Sequence, residues 1–288
     1  MSRISVVINV VEEELELLTR AVESIKNFAD EIVIVDMSTS EVAKEGNLKV
    51  YKHEFSSYVE PARNFGIEKA TGDWILILDP DEEIPASLAR KLKEMVKEDL
   101  ADYVAIPRKN IIFGKWITNS RWWPDYNVWF FKKGKVTWGN EIHSVPQTVD
   151  RGLDLPAEEK YAIVHYHYTS IEQYIGRMNR YTSVQAKEKI KAGYTFDWRD
   201  LVGKPVSEFL SRYFFGKAYK DGLHGLALSG LQAASEFVVY LKTWSMKDEK
   251  IPVRKVIREM RKSEKEFHYW QGDAIGGIVG KIKKKFRL

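Results

Sequence analysis

The chain reads as an α/β protein whose sheet is mostly parallel, followed by a helical, basic region. Three observations carry that reading. Strand-like and helix-like segments alternate from Ile4 to Lys97. The strands are continuous apolar runs rather than alternating ones, the pattern of strands covered on both faces. Beyond about residue 169 the β pattern stops and helical spacing takes over.

Ile4–Val10 is a β-branched run, and Glu12–Asn27 follows with Leu15, Leu18, Val22 and Ile25 at helical spacing. Glu31–Asp36 (EIVIVD) is a second buried strand, ending in a carboxylate. Leu48–Tyr51 is a short third strand, and Val59–Ala70 reads as a helix. Trp74–Leu78 (WILIL) is a fourth strand that stops at Asp79-Pro80-Asp81, and Ser87–Lys97 is helical again. From Asp102 to His167, short aromatic and β-branched stretches are separated by Gly, Pro and Asn turns, as expected of antiparallel strands added to the sheet edge. Helical segments are expected at Ile171–Lys191, Pro205–Lys220, Leu223–Lys242 and Pro252–Phe267. The division drawn from these patterns is residues 1–169, with halves 1–100 and 101–169, and a helical region 170–288.

Composition excludes several chemistries. With 0 cysteines among 288 residues there is no disulfide, Cys-ligated zinc, iron–sulfur cluster or thiol catalysis. The formal net charge is +4, which by itself implies no nucleic-acid partner. The charge is uneven: Lys242–Leu288 holds 14 Lys/Arg and 6 Asp/Glu, so a tail of +8 follows a body of −4. A basic tail on an acidic body suits an anionic surface. Leu223–Leu241 lacks Lys and Arg, yet His224, Gln232 and Glu236 dilute it below the hydrophobicity of a bilayer span. Met1-Ser2-Arg3 leads straight into the first strand without a leader pattern. The expectation is therefore cytoplasmic, peripheral on the inner face of the cell membrane.

The sharpest chemical signal is Asp79-Pro80-Asp81-Glu82-Glu83, at the carboxyl end of a buried strand. Ligands of open α/β sheets sit there. Clustered carboxylates repel one another unless a cation intervenes, and hard Mg²⁺ or Mn²⁺ bridges carboxylates to a diphosphate. Alone, such a cluster is more often a solvated turn capping the next helix; its place at the end of a buried strand favours metal. Asp36 ends another buried strand before Met37-Ser38-Thr39-Ser40, a position suited to a base or ribose, while an isolated Asp there is usually a turn residue. Arg63 offers a guanidinium from the helix before WILIL, or else a surface salt bridge. His165 and His167 share one strand face. Trp116, Trp122, Trp123, Trp129 and Trp138 form an aromatic group that stacks on sugar rings or fills a core.

Taken in order, VVINVVEEELELLTRAVESIKNFADEIVIVDMSTSE, EPARNFGIEKATGDWILILDPDEEI, WWPDYNVWFFKKGKVTWGNEIHSVP, VHYHYTSIEQYIGRMNRY and FFGKAYKDGLHGLALSGLQAASEF resemble family 2 glycosyltransferases of the GT-A fold. The order is similar to the branch of lipopolysaccharide-core β-glucosyltransferases, and the likeness covers nearly the whole chain. The resemblance implies a metal-dependent inverting transfer of a hexose from a nucleotide-diphosphate sugar, a UDP-sugar by expectation, to a lipid-linked or cell-surface glycan. It implies Mg²⁺ or Mn²⁺ at Asp79 and Asp81, with His165 completing the shell, and donor contacts from Glu12, Asp36, Arg63 and Asp79. The family's Asn-Glu after the first strand is Val11-Glu12 here, and its Asp-x-Gly-Ser-Thr-Asp is Asp36 to Glu41. Asp125, in Trp-Pro-Asp-Tyr-Asn, is the first choice for the base that deprotonates the acceptor hydroxyl. The arginine that usually follows is replaced by Trp129. Glu141 is the second choice, since the branch's His-Glu is His143-Ser144 here. Trp122, Trp123 and His143 are acceptor candidates.

Two other readings fit less well. A nucleotidylyltransferase needs a Gly-rich basic loop after the first strand, and Val10–Leu18 has none. A non-catalytic scaffold on a membrane or polyanion surface fits the tail but gives the clustered acids no purpose.

Overall fold

The computed structural model describes residues 2–40, 42, 46–54, 60–139, 146–245 and 250–287. In chain order the elements are β1 (Ile4–Val10), α1 (Leu15–Ile25), β2 (Glu31–Asp36), β3 (Leu48–Lys52), α2 (Glu60–Lys69), β4 (Trp74–Ile77), β5 (Glu82–Glu83), α3 (Ala86–Glu98), β6 (Tyr103–Ile112), β7 (Lys115–Trp116), β8 (Asp125–Lys132), β9 (Val136–Thr137), β10 (Gln147–Thr148), β11 (Gly152–Asp154), β12 (Ile163–Tyr168), α4 (Ile171–Lys191), α5 (Asp200–Leu210), α6 (Leu223–Thr243), α7 (Val253–Ile275) and α8 (Gly277–Phe286). The chain divides into two compact units, residues 1–111 with 124–167 and residues 112–123 with 168–288. The segment 112–123, read from sequence as part of the first region, clusters with the helices.

In the first unit the strands run in the order β3-β2-β1-β4-β8-β6-β12-β5, with β11 alongside β6. The pairs β3-β2, β2-β1 and β1-β4 are parallel. Strand β8 joins β4 antiparallel, and β6 joins β8 antiparallel. The expected change from parallel to antiparallel texture therefore lies at the β4–β8 boundary. Every residue of β1, β2 and β4 is buried, as continuous apolar runs require when helices cover both faces. The β1-β4 pairing is where sequence order reverses, and the crevice at the carboxyl ends of those strands is the usual ligand position of such sheets.

Helix α2 covers one face closely. A side chain on Gly66 would meet Val7 Cγ1 at 2.5 Å and Val35 Cγ2 at 2.9 Å, so only glycine lets α2 approach this far. Phe130 and Phe131 of β8 are fully buried, and Phe130 stacks on Trp74 at 4.6 Å between ring centroids. One extra residue interrupts β8: Val104 faces Phe130 and Ala105 faces Val128, which leaves Trp129 in a bulge. Bulges re-aim side chains near sites.

The second unit is helical. Helix α6 packs on α4 and α5, and α7 packs on α5 and α8. Ile112, Ile117, Tyr174 and Leu228 form its core, with Trp122 packed against them. Buried Asp221 pins segment 112–123: its carboxylate accepts from the Thr118 hydroxyl at 3.0 Å and the Asn119 amide at 3.0 Å. The expected helix Pro205–Lys220 departs from the structure. Its helix begins earlier, at Asp200, and passes through a π-turn, Ser211–Phe215. It is broken by Lys217, whose φ of 58° is left-handed. Helix α7 runs eight residues beyond Phe267, and α8 is an element the sequence reading took only as a basic tail. Among the described residues, no helix is long and apolar enough to cross a membrane.

Phe130→Ala removes a fully buried ring from the centre of the first unit and should cost about 3–5 kcal/mol. Urea unfolding of the purified variant measures it.

Candidate functional site

The acidic turn after β4 divides its carboxylates between two environments within the first unit. Asp79 remains partly exposed, with Oδ1 4.0 Å from Arg63 Nη2. Asp81 is buried, and its Oδ1 lies 3.5 Å from His165 Nε2. Glu82 is almost completely buried, and its Oε2 accepts from the Asp79 amide at 3.1 Å.

Strand pairing brings the remaining groups together. His165 on β12 lies opposite Glu82 on β5, and Arg108 on β6 lies opposite Asp125 on β8. Arg108 donates to Asp125 Oδ2 from Nε at 2.9 Å and Nη2 at 2.6 Å, and its Nη1 stands 3.5 Å from Glu82 Oε1. Asn110, fully buried, completes the circuit. Its Nδ2 donates to Asp125 Oδ2 at 3.2 Å, and its Oδ1 lies 2.7 Å from His165 Nδ1. The carbonyl oxygen can only accept, so in this arrangement Nδ1 donates to Asn110 and Nε2 is the ring nitrogen turned towards Asp81. A ring of six side chains results: Asp81, His165, Asn110, Asp125, Arg108 and Glu82.

The charges around it and its burial set the protonation of Glu82. Burial first, and then the nearby charges of Asp79 and Asp81, push the Glu82 carboxyl up to about 7, against the pull of His165 and Arg108. Burial opposes the charge on Arg108, but Glu82, Asp125 and Asp79 outweigh it and raise its pKa.

Arg63 is a second focus. It is buried, its guanidinium lies over Trp129 at 4.8 Å and Trp138 at 5.3 Å, and its Nε has no hydrogen-bond partner. The bulge in β8 places Trp129 there, which accounts for an aromatic residue where the family pattern carries arginine: a second cation would repel Arg63, whereas an indole face attracts it. From sequence, Trp129 and Trp138 belong to an aromatic group that stacks on sugar rings or fills a core; the structure sets both against Arg63. The sequence reading passed over Asn9, buried in β1, whose amide N and O lack partners. Val7 meets Gly66 of α2, and Asn9, two residues further along β1, lies on that same strand face. An unpartnered buried amide amid hydrophobic strand residues was the signal available in the sequence.

Glu12 and Asp36 are engaged by the chain itself. Glu12 accepts from the Thr39 amide at 2.8 Å, the Thr39 hydroxyl at 2.9 Å and the Ser40 hydroxyl at 2.5 Å. The hydrogen bonds of Ser40 and Thr39 hold its carboxyl down at about 2. Asp36 is fully buried; Oδ1 accepts from the Ser38 amide and hydroxyl, and Oδ2 pairs with Lys52 Nζ at 2.8 Å. Burial raises its pKa, but Lys52 and Ser38 override this and leave it lowered. Both acids thus brace the loop after β2. Trp122 and Trp123 belong to the second unit, Trp122 in its core and Trp123 edge-on to Trp116 at 5.2 Å. Glu141 and His143 lie outside the described residues.

A divalent cation is only half provided for. Among the described residues, no group of three or more His, Asp or Glu side chains converges closely enough to hold a metal ion. Asp81 and His165 nevertheless suit one together: a buried carboxylate faces an imidazole nitrogen whose other nitrogen is fixed by an amide, the support metal-ligating histidines usually have.

Comparison with known proteins gives the family. The profile described as "Glycosyl transferase family 2" matches residues 5–149. A glycosyltransferase of Rickettsia typhi is 28% identical over 251 residues, 83% of this chain and 85% of that one. The lipopolysaccharide core biosynthesis glycosyltransferase LpsC of Rhizobium meliloti is 22% identical, over 77% of this chain and 83% of its own. The crystal structure of S. aureus TarS 1-349 in complex with UDP aligns over 86% of this chain and 94% of its own, with 14% identity and a TM-score of 0.45. The chain belongs to glycosyl transferase family 2 and is a glycosyltransferase of GT-A fold.

Because Glu82 binds its proton more tightly folded than unfolded, its burial lowers stability as pH rises from about 4.5 through about 7. Glu82→Gln should remove that slope. The stability difference between wild type and variant should move by about 2–3 kcal/mol between pH 5 and pH 8 in urea unfolding.

Proposed function

We propose that this family 2 glycosyltransferase transfers a hexose, with inversion, from a UDP-sugar to a hydroxyl of a lipid-linked or cell-surface glycan, using Mg²⁺ or Mn²⁺. The observation that carries the reading is the face at the β1-β4 switch. There Asp79 stands 4.0 Å from the buried cation Arg63, and Asn9, whose buried amide lacks a partner, lies near the carboxyl end of β1.

In this reading the donor diphosphate lies along Asp79 and Asp81. Arg63, its charge steadied between two indoles and its Nε without a partner, supplies a donor to the nucleotide. Asn9 offers one donor and one acceptor to the same nucleotide. Glu12 and Asp36 hold the Met37–Ser40 loop against it rather than touching it. Asp81 and His165 would hold the cation from one side, leaving its other positions to phosphate oxygens and water. Bound there, it would supply charge neutralisation for the leaving diphosphate. His165 favours Mn²⁺ over Mg²⁺, which prefers oxygen ligands throughout.

Asp125 is the proposed base. Arg108 and Asn110 engage its Oδ2 and fix its orientation, leaving Oδ1 to take the proton of the acceptor hydroxyl as that oxygen attacks the anomeric carbon. Glu141 is the alternative should Asp125 prove dispensable. The acceptor class rests on the likeness to a lipopolysaccharide-core enzyme, and a lipid-linked acceptor would be met at the inner membrane face.

Calorimetry tests the donor half. UDP should bind more tightly with Mn²⁺ than without it, GDP more weakly than UDP, and Asp81→Ala should abolish the gain from Mn²⁺. Equal UDP affinities under all conditions would overturn the cation assignment.

For the base, Asp125→Asn should lower transfer by about 10²–10⁴-fold while UDP affinity stays unchanged. A loss below about tenfold would move the role away from Asp125.

A further inference from the structure

The aromatic stretch Pro205–Lys220 packs in part within the helical unit, while Phe215 is 61% exposed. Leu210 is buried, Phe209 stacks on Tyr213 at 5.4 Å, and Phe214 meets Phe267 at 5.8 Å. Helix α6 is likewise packed between α4 and α5. Exposed apolar side chains occur on several helices, among them Ile190 on α4 and Leu223 on α6, and on α8 four of them stand together.

Helices α7 and α8 form a hairpin through Gly276 and Gly277, whose φ values of 67° and 62° lie in the left-handed region. They cross at a glycine contact, where a side chain on Gly272 would meet the Gly280 carbonyl at 2.7 Å. Lys283 reaches Gln271 at 2.9 Å and Lys284 reaches Asp273 at 2.6 Å, which fixes the rotation of α8 on α7. That rotation turns the apolar side chains of α8 outward. Ile278 is 78% exposed, Val279 58%, Ile282 50% and Phe286 59%. Lys281, Lys285 and Arg287 are exposed beside them. On α7, Arg254, Ile257, Arg258, Arg261, Lys262 and Lys265 line one shallow cleft at helical spacing. It is a cationic stripe along a single helix face.

We propose that the α7–α8 hairpin is the element that docks this enzyme on an anionic lipid bilayer. Side chains of α8 enter the interface, and the cations of both helices meet the headgroups. Charge selects the occupant: a second copy of this chain would bring the same cations against one another, whereas an anionic leaflet neutralises them. Short apolar insertion with flanking lysines is the pattern of an interfacial helix, and two weak signals together hold a protein at a membrane. The inference deepens the membrane-side acceptor proposed above, yet vesicle binding needs neither donor nor acceptor.

Flotation of the full chain with vesicles tests it. Wild type should float with phosphatidylglycerol–phosphatidylcholine vesicles at low salt, release as salt rises, and ignore phosphatidylcholine alone. Lys281→Gln with Lys285→Gln should weaken partitioning about 25-fold, roughly fivefold per cation. Ile282→Gln with Phe286→Gln should abolish flotation. Lys187→Gln with Lys191→Gln, the same charge change on exposed positions of α4, should leave it within about twofold. Circular dichroism and UDP calorimetry on each sample establish that fold and donor site persist. Wild type remaining at the bottom with anionic vesicles, or the α4 variant falling as far as the α8 variant, would overturn the proposal. So would retained flotation of the Ile282/Phe286 variant accompanied by dissociation of a dimer in light scattering. Loss of UDP binding with flotation intact would instead count against the donor reading and leave the docking element standing.

Discussion

The first unit depends on solving one electrostatic problem: holding Asp79, Asp81, Glu82 and Asp125 at one end of a sheet whose central strands exclude water. Arg108 and Asn110, two positions apart on β6, provide the solution. The guanidinium joins Asp125 to Glu82, and the amide joins Asp125 to His165. A buried charge is tolerable only when paired and hydrogen-bonded, and here one cation is shared by two carboxylates. Glu82 meets the shortfall by favouring its protonated form. Asp81 faces the Nε2 of His165 at 3.5 Å. The same network that makes the fold tolerable therefore sets up the chemistry.

A second economy operates at the β1-β4 switch. Arg63 is buried against two indoles rather than a full set of acceptors, and Asn9 is buried without partners. Buried polar groups without partners cost about 1–3 kcal/mol each, so their persistence points to a ligand that satisfies them. The acids that do have partners, Glu12 and Asp36, act as braces for a loop. Within the first unit, Glu12 and Asp36 are engaged by the chain itself, whereas Arg63 Nε and the Asn9 amide are not.

In the second unit glycine decides orientation. The Gly272–Gly280 crossing brings α7 and α8 so close that α8 cannot bury its isoleucines between them. An amphipathic helix whose apolar side is turned away from its own neighbour is built for another surface. The buried Asp221 serves the opposite end, gathering a short excursion from the middle of the chain into the helical unit.

The sequence by itself determined the class of fold and the position of the acids. Uninterrupted apolar runs such as EIVIVD and WILIL can only be strands covered on both faces, and an acid following such a run must lie at the strand's end. Those are local consequences of periodicity and burial, and they hold at Asp36, Asp79 and Asp81. Tertiary structure alone decided which groups meet. Arg108 lies 26 residues from Glu82 and 57 from His165 along the chain, and only strand register joins them. A one-residue bulge placed Trp129 against Arg63. Whether phenylalanines of the helical region face water or one another depended on a break at Lys217 and on packing against α7. Periodicity describes one element at a time, whereas partners of charges and aromatic rings are set by neighbours that are distant in sequence.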